Sequence, residues 1–180
     1  KNMLKNMKPG MTECQIEAYY DFVLKSYNVK IPAFWTIAAT GKNACIMHYV
    51  DNDTKTKDGD MILFDLGAQW DHYCTDVSRT YPVNGKFTER QKQLYNAVLK
   101  GLDAALAATK PGQLKSELQL ISKRVMAEEL VKIGKISTVE AIDKYYFHGS
   151  GHFIGLNTHD VGDHDGMILE EDMMFTLEPG

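Results

Sequence analysis

The chain has 180 residues, 44% of them hydrophobic, and a formal net charge of -4, which suits one ordered domain with a sizeable core. That charge, with no basic stripe to offset it locally, argues against nucleic acid as a partner, and no apolar run reaches the ~20 residues that span a bilayer. Three cysteines, Cys14, Cys45 and Cys74, are an odd number without metal-finger spacing. They are expected to be reduced thiols in a cytoplasmic setting, packed as small buried hydrophobes. The chain opens without methionine and stops on Glu178-Pro179-Gly180 after an apolar run, so both ends are expected to be cuts through a longer protein.

The first helix is predicted to start at Thr12, where Thr12-Glu13-Cys14-Gln15 makes a capping box after the turn Lys8-Pro9-Gly10. Ile16, Tyr19 or Tyr20, Val23, Leu24 and Tyr27 recur at helical spacing and predict its buried stripe. The segment 34–50 reads as strand or irregular chain and delivers His48. Alone, that histidine reads as a satisfied core or turn residue. The apolar run Met61-Ile62-Leu63-Phe64 reads as a buried strand that carries Asp65 inward. A hairpin about Trp70-Asp71 would set Asp65 directly opposite Asp76, with β-carbons roughly 5 Å apart. Two carboxylates so placed repel unless a proton or a cation sits between them. The alternative is that one of them is a turn or capping aspartate.

Thr88-Glu89-Arg90-Gln91 is a second capping box, predicting a helix to about Thr109 with Leu94, Val98, Leu102, Ala105 and Leu106 inside. Lys110-Pro111-Gly112 stops it, and a further helix with Leu114, Leu118, Ile121 and Val125 inside runs to about Leu130. The Glu and Lys residues of both are expected to form a solvated face.

An internal repeat organises these elements. Lys8-Pro9-Gly10 before a helix recurs as Lys110-Pro111-Gly112, a glycine-led stretch ending in His48 recurs as one ending in His159, and Asp60 to Gly67 recurs as Asp172 to Gly180. Each half, about 8–80 and about 110–180, then offers a helix, a histidine and an acid on a strand. The return strand that carries Asp76 in the first half has its counterpart beyond Gly180, which predicts one further acid there.

Four of the six histidines fall between His148 and His164 among glycines that permit close backbone approach. Such a cluster signals metal binding or acid/base chemistry. His72 and His164 stand among turn-like polar residues and are set aside as solvent-exposed. Asp65, Asp76 and Glu178 with one histidine make a hard, oxygen-rich donor set that favours manganese, or cobalt or zinc.

Five stretches together carry a family resemblance. They are Asp65-Leu66-Gly67, Asp76 through Gly85, His148-Gly149 with His152 and Gly155, His159-Asp160-Val161-Gly162, and Glu178-Pro179-Gly180, with His48 ahead of them. In these the chain resembles the metal-dependent peptidases of the pita-bread (creatinase/aminopeptidase) fold, in the Xaa-Pro aminopeptidase and prolidase branch. The resemblance covers essentially the whole chain and implies one α+β catalytic domain, 1–180, incomplete at its C-terminal end. Two pseudo-symmetric halves would pack helices on an antiparallel sheet. It implies that Asp65 binds one metal, Asp76 bridges two, and His152 and Glu178 bind the other. His48, His148 and His159 would orient the peptide and stabilise the tetrahedral intermediate, and Glu178 could also shuttle a proton. The implied reaction is hydrolysis of the bond preceding proline, by a hydroxide held between two divalent ions. The implied substrate is a peptide with proline second, and a homodimer is compatible with the family. A bridging glutamate beyond Glu-Pro-Gly and an N-terminal domain, both family features, lie outside this sequence. The rival readings are a methionine-aminopeptidase-like enzyme and a binding module that keeps the fold without chemistry.

Overall fold

A computed structural model describes residues 1–162 and 166–180; the expectation of an exposed His164 lies outside them. The chain is α+β and divides into two units, residues 1–88 with 155–158, and residues 89–154 with 159–180. Among the described residues, no helix is long and apolar enough to cross a membrane.

The first unit contains helices α1 (Asn2–Asn6) and α2 (Glu13–Ser26) and strands β1 (Ile37–Thr40), β2 (Met61–Leu66), β3 (Gln69–Trp70), β4 (Tyr73–Cys74) and β5 (Val77–Pro82). The predicted capping box starts α2. The Gln15 N–H donates to the Thr12 hydroxyl at 3.2 Å, and the Thr12 N–H donates to Gln15 Oε1 at 3.0 Å, so two otherwise orphaned donors are satisfied. Ile16 and Leu24 are buried as expected. Tyr27 lies past the last helical turn and is exposed, so the stripe ends one turn earlier than its spacing suggested. Helix α1 was not anticipated, although Met3 and Met7, four residues apart, both enter the core.

Strand β2 runs between β1 and β5, antiparallel to both. Its alternation sends Ile62 and Phe64 to the face covered by α2, where they meet Ile16, Ala38 and Val83. Leu63 faces the other way and packs with Ile37, Ala39 and Tyr49. Both faces are covered, which is why the strand reads as a continuous apolar run.

The hairpin differs from expectation. It folds about Asp71-His72, not Trp70-Asp71, with φ of 47° and 72° at the two turn residues. Positive φ at both centres suits the twist of a two-residue hairpin. Trp70 therefore pairs with Tyr73, and Asp65 pairs with Ser78 rather than Asp76. The shift is an even number of residues, so face parity survives it. Asp76 precedes Ser78 by two residues and is the diagonal neighbour of Asp65, not its direct partner. Of the three free thiols, Cys74 is buried as expected, but Cys14 and Cys45 are exposed. Cys14 sits on the solvent side of α2 and Cys45 closes the 3-10 turn Gly41–Cys45, so neither reaches the core.

The second unit is built on α3 (Glu89–Ala108) and α4 (Lys115–Lys132). The buried residues of α3 are Ala97, Gly101 and Ala105, with Leu94 and Val98 beside them, while Leu106 is exposed. Small residues at four-residue spacing let α4 come close, and a Cβ on Gly101 would strike the Met126 side chain. Of the predicted stripe Ala105 is buried and Leu94 and Val98 flank the core, whereas the small Ala97 and Gly101 were missed. On α4, Leu118 is fully buried as expected, but Ser122, Met126, Ala127 and Leu130 complete the inner face in place of Val125. Lys115 corrects the solvated-face expectation, since it is 7% exposed. Lys100, Glu129 and Lys132 do form exposed ion pairs.

The Asp65-Leu66-Gly67 run ends at a close approach. A Cβ on Gly67 would run into the Phe34 ring and stand 2.5 Å from the Thr75 carbonyl oxygen. We expect Gly67→Ala to destabilise the fold by about 1–3 kcal/mol through overpacking, read as a lower midpoint in thermal unfolding. An unchanged midpoint would contradict that packing.

Candidate metal centre

In the second unit, residues 150–154 and 174–178 lie antiparallel. The Thr176 N–H donates to the His152 carbonyl and the Glu178 N–H to the Ser150 carbonyl, both at 2.8 Å, and the Ile154 N–H to the Met174 carbonyl at 3.3 Å. Phe153 and Phe175 form the bridge between the two segments. The pairing is interrupted at one point, where the His152 N–H donates to the Thr176 hydroxyl at 3.0 Å instead of to a carbonyl. Gly151 permits the approach. Its φ is 152°, and a Cβ would collide with the Thr176 carbonyl.

This pairing sets His152 against Glu178, with Nε2 3.2 Å from Oε1. His152 Nδ1 lies 3.0 Å from the Phe153 carbonyl oxygen, which can only accept, so Nδ1 carries a proton and donates. In the neutral imidazole the lone pair is then on Nε2 and faces a carboxylate oxygen. Two electron-pair donors so disposed need a proton or a cation between them. Ligand bonds of about 2.1 Å meeting at 90° to 109° separate donor atoms by roughly 3.0–3.4 Å. The observed distance falls within that span, so imidazole and carboxylate together fit a hard or borderline divalent ion. The Thr176 hydroxyl donates to Glu178 Oε1 at 2.6 Å and fixes that carboxylate from behind.

His148 and His159 lie beside the same pairing. The His159 ring meets the His152 ring edge-on at 4.3 Å between centroids, held by the Asp160 N–H donating to the Phe153 carbonyl at 3.0 Å. The ring nitrogens of His148 lie 2.7 Å from the Gly149 carbonyl oxygen and 3.2 Å from that of Gly180. Its ring packs on Tyr146 at 5.0 Å. Burial pushes the Tyr146 phenol up to about 12, so the phenol keeps its proton.

In the first unit, Asp65 and Asp76 are both half-buried. Asp65 stands on the face of β2 that carries Leu63, between Ile37 on β1 and Ser78 on β5. His48 is exposed in a left-handed conformation with φ of 55°, directly before the buried Tyr49. His72 is exposed at the hairpin turn, as expected.

Sequence reasoning missed Thr176. The signal was present, because a hydroxyl two residues before Glu178 on an extended segment shares its face. It also missed Lys115, whose Nζ donates to the Gly151 carbonyl at 3.0 Å and lies over the Phe153 and Phe175 rings at 5.5 and 5.8 Å.

Comparison with known proteins agrees with these motifs. The family described as Metallopeptidase family M24 matches residues 1–180. The Xaa-Pro aminopeptidase of Escherichia coli is 35% identical over 187 residues, covering 98% of this chain and 42% of its own length. The Xaa-Pro dipeptidase of Mus musculus is 33% identical over 208 residues, covering 100% of this chain and 42% of its own length. A solved structure from Bacillus anthracis, named provisionally as an aminopeptidase P, is 49% identical with a TM-score of 0.97. It covers 99% of this chain and 43% of that one. The chain thus spans less than half the length of the curated relatives it matches.

Thr176→Val keeps the shape of the side chain but removes the hydroxyl that joins His152 to Glu178. Titration of the full-length variant with manganese is expected to show affinity about 10–100-fold weaker than wild type. Equal affinities would show that Thr176 does not orient the carboxylate.

Proposed function

From the premise that this chain belongs to metallopeptidase family M24, we propose that it supplies the metal-binding part of a hydrolase acting on the peptide bond before proline. The substrate is a peptide with proline in second place, cut as an aminopeptidase or as a dipeptidase does. The observation that carries this reading is His152 Nε2 facing Glu178 Oε1 at 3.2 Å, with Nδ1 bound to a carbonyl and the carboxylate to Thr176. The two relatives, one an Xaa-Pro aminopeptidase and one an Xaa-Pro dipeptidase, support the proline branch.

In this proposal Asp65 and Asp76 of the first unit and His152 and Glu178 of the second are the ligands of two divalent ions, manganese by preference, with cobalt or zinc as alternatives. When bound, such ions lower the pKa of a water toward neutrality and polarise a scissile carbonyl. The chain's own residues do the rest. The Phe153 carbonyl holds the His152 tautomer, Thr176 aims Glu178, and Glu178 also carries the proton toward the leaving amine. His48, His148 and His159 orient the peptide and donate to the oxygen on which negative charge develops. A bond before proline has no N–H, so these donors must work through the carbonyl side.

We also read the two units as duplicated halves of a pita-bread fold. Three local features support this. The Gly10 N–H donates to Thr56, the Glu13 N–H donates to Thr54, and Thr12 bridges Lys55. In the second unit Gly112 donates to Leu169, Lys115 to Met167, and Leu114 bridges Ile168. A cytoplasmic setting accords with three free thiols, and a homodimer remains part of the proposal.

The test is hydrolysis by the full-length, manganese-loaded protein. Peptides of the Xaa-Pro type should be cleaved and Met-Ala peptides should not. Replacing Asp76 or His152 by alanine should lower kcat/KM by more than about a hundredfold. Cleavage of Met-Ala peptides alone, or of neither class, would overturn the assignment.

A further inference from the structure

Glu13 is the first residue of α2, and its carboxylate is fully buried. It is not spent on capping the helix, because Thr12 and Gln15 already do that. Its partners all belong to one later segment, 40–54. Oε1 accepts from the Thr40 N–H at 2.6 Å and from Asn43 Nδ2 at 3.0 Å. Oε2 accepts from the Thr54 N–H at 3.0 Å and from the Tyr49 hydroxyl at 2.8 Å. The four bonds therefore hold both ends of the segment and two points within it, Asn43 and Tyr49.

Tyr49 adjoins a strained backbone. His48 and Asn52 have φ of 55° and 48°, a region that residues with a Cβ adopt only when their surroundings impose it. Asn52 is imposed on directly. Its Oδ1 accepts from the Ala38 N–H at 3.0 Å, and its Nδ2 donates to the Thr36 carbonyl at 2.8 Å and to Glu17 at 2.9 Å. Tyr49 supplies the tether next to His48. Its ring packs with Ile37, Ala39 and Leu63 on the sheet, and its hydroxyl reaches Glu13. Helix α4 of the second unit likewise begins on a buried charge, Lys115, which reaches the carbonyl of Gly151, one residue before His152.

We propose that Glu13, acting through the Tyr49 hydroxyl, is a positioning residue that holds His48 in its left-handed conformation and so aims its imidazole. The proposal rests on the reading of His48 as a histidine that meets the substrate. Glu13 touches no substrate in it. Its effect passes entirely through the segment it grips.

Removing the Glu13 carboxylate would leave four donors without it and threatens folding, so the informative variant is Tyr49→Phe, which keeps the ring and deletes the hydroxyl, with its bond to Glu13, the one it accepts from Asn43 Nδ2 at 2.9 Å and its 3.5 Å contact with Asp53. Steady-state kinetics on an Xaa-Pro peptide would be measured for the full-length, manganese-loaded wild type, Tyr49→Phe, His48→Ala and the double variant, each with its metal content and thermal midpoint. The expected result is a loss of about tenfold in kcat/KM for Tyr49→Phe at wild-type metal content. In the His48→Ala background the same change should cost less than twofold, because what it aims is gone. An equal loss in both backgrounds, or no loss in the wild type, overturns the proposal while leaving the role of His48 intact. A His48→Ala protein as active as the wild type would instead remove the assignment of His48, and the proposal with it.

Discussion

The candidate centre in the second unit depends on one constraint: an imidazole lone pair and a carboxylate oxygen are held facing each other at 3.2 Å. Neither group would choose this arrangement unaided, since both are acceptors in the tautomer that the Phe153 carbonyl selects. The backbone enforces it. Residues 150–154 and 174–178 pair antiparallel, Gly151 gives up its side chain so that the strands can close, and Thr176 joins His152 and Glu178 through one hydroxyl. Preorganisation of this kind is what a metal ligand set requires, because ordering the ligands at the moment of binding would cost affinity.

The first unit prepares its carboxylates by a different route. Asp65 sits near the end of a strand that is paired on both edges and covered on both faces, so the backbone around it is fixed by the sheet ladders and by packing. Its partner strand is set by the turn at Asp71-His72, and the face shared with Asp76 follows from parity alone. The loop that carries His48 is held by buried polar contacts as well, those of Glu13 and Asn52. Strand pairing and apolar packing place Asp65 and hydrogen bonding holds the loop, and Tyr49, whose ring packs with Leu63 while its hydroxyl reaches Glu13, joins the two layers.

Much of this was legible in the sequence where a signal is local. The capping box at Thr12, the buried run before Asp65 and the start of α3 at Glu89 are all properties of neighbouring residues. The grouping of His148, His152 and His159 also came through, since glycine punctuation marks close backbone approach. What failed depended on partners far away. The hairpin register turned on which two residues tolerate positive φ, a choice that hydrophobic alternation leaves open by two. Ala97 and Gly101 join the expected Ala105 on the inner face of α3 because α4 comes close, and no count of large apolar residues on α3 could show that. Lys115 and Glu13 look like surface charges by type, and only their distant acceptors and donors explain their burial.

The proposal at the centre of this account is that Asp65, Asp76, His152 and Glu178 are metal ligands. Anomalous diffraction from crystals of the full-length protein grown with manganese tests it most directly. The account predicts peaks within bonding distance of these four side chains, one of them bonded to both His152 Nε2 and Glu178. Manganese bound elsewhere, with His152 and Glu178 joined only by a proton, would contradict it.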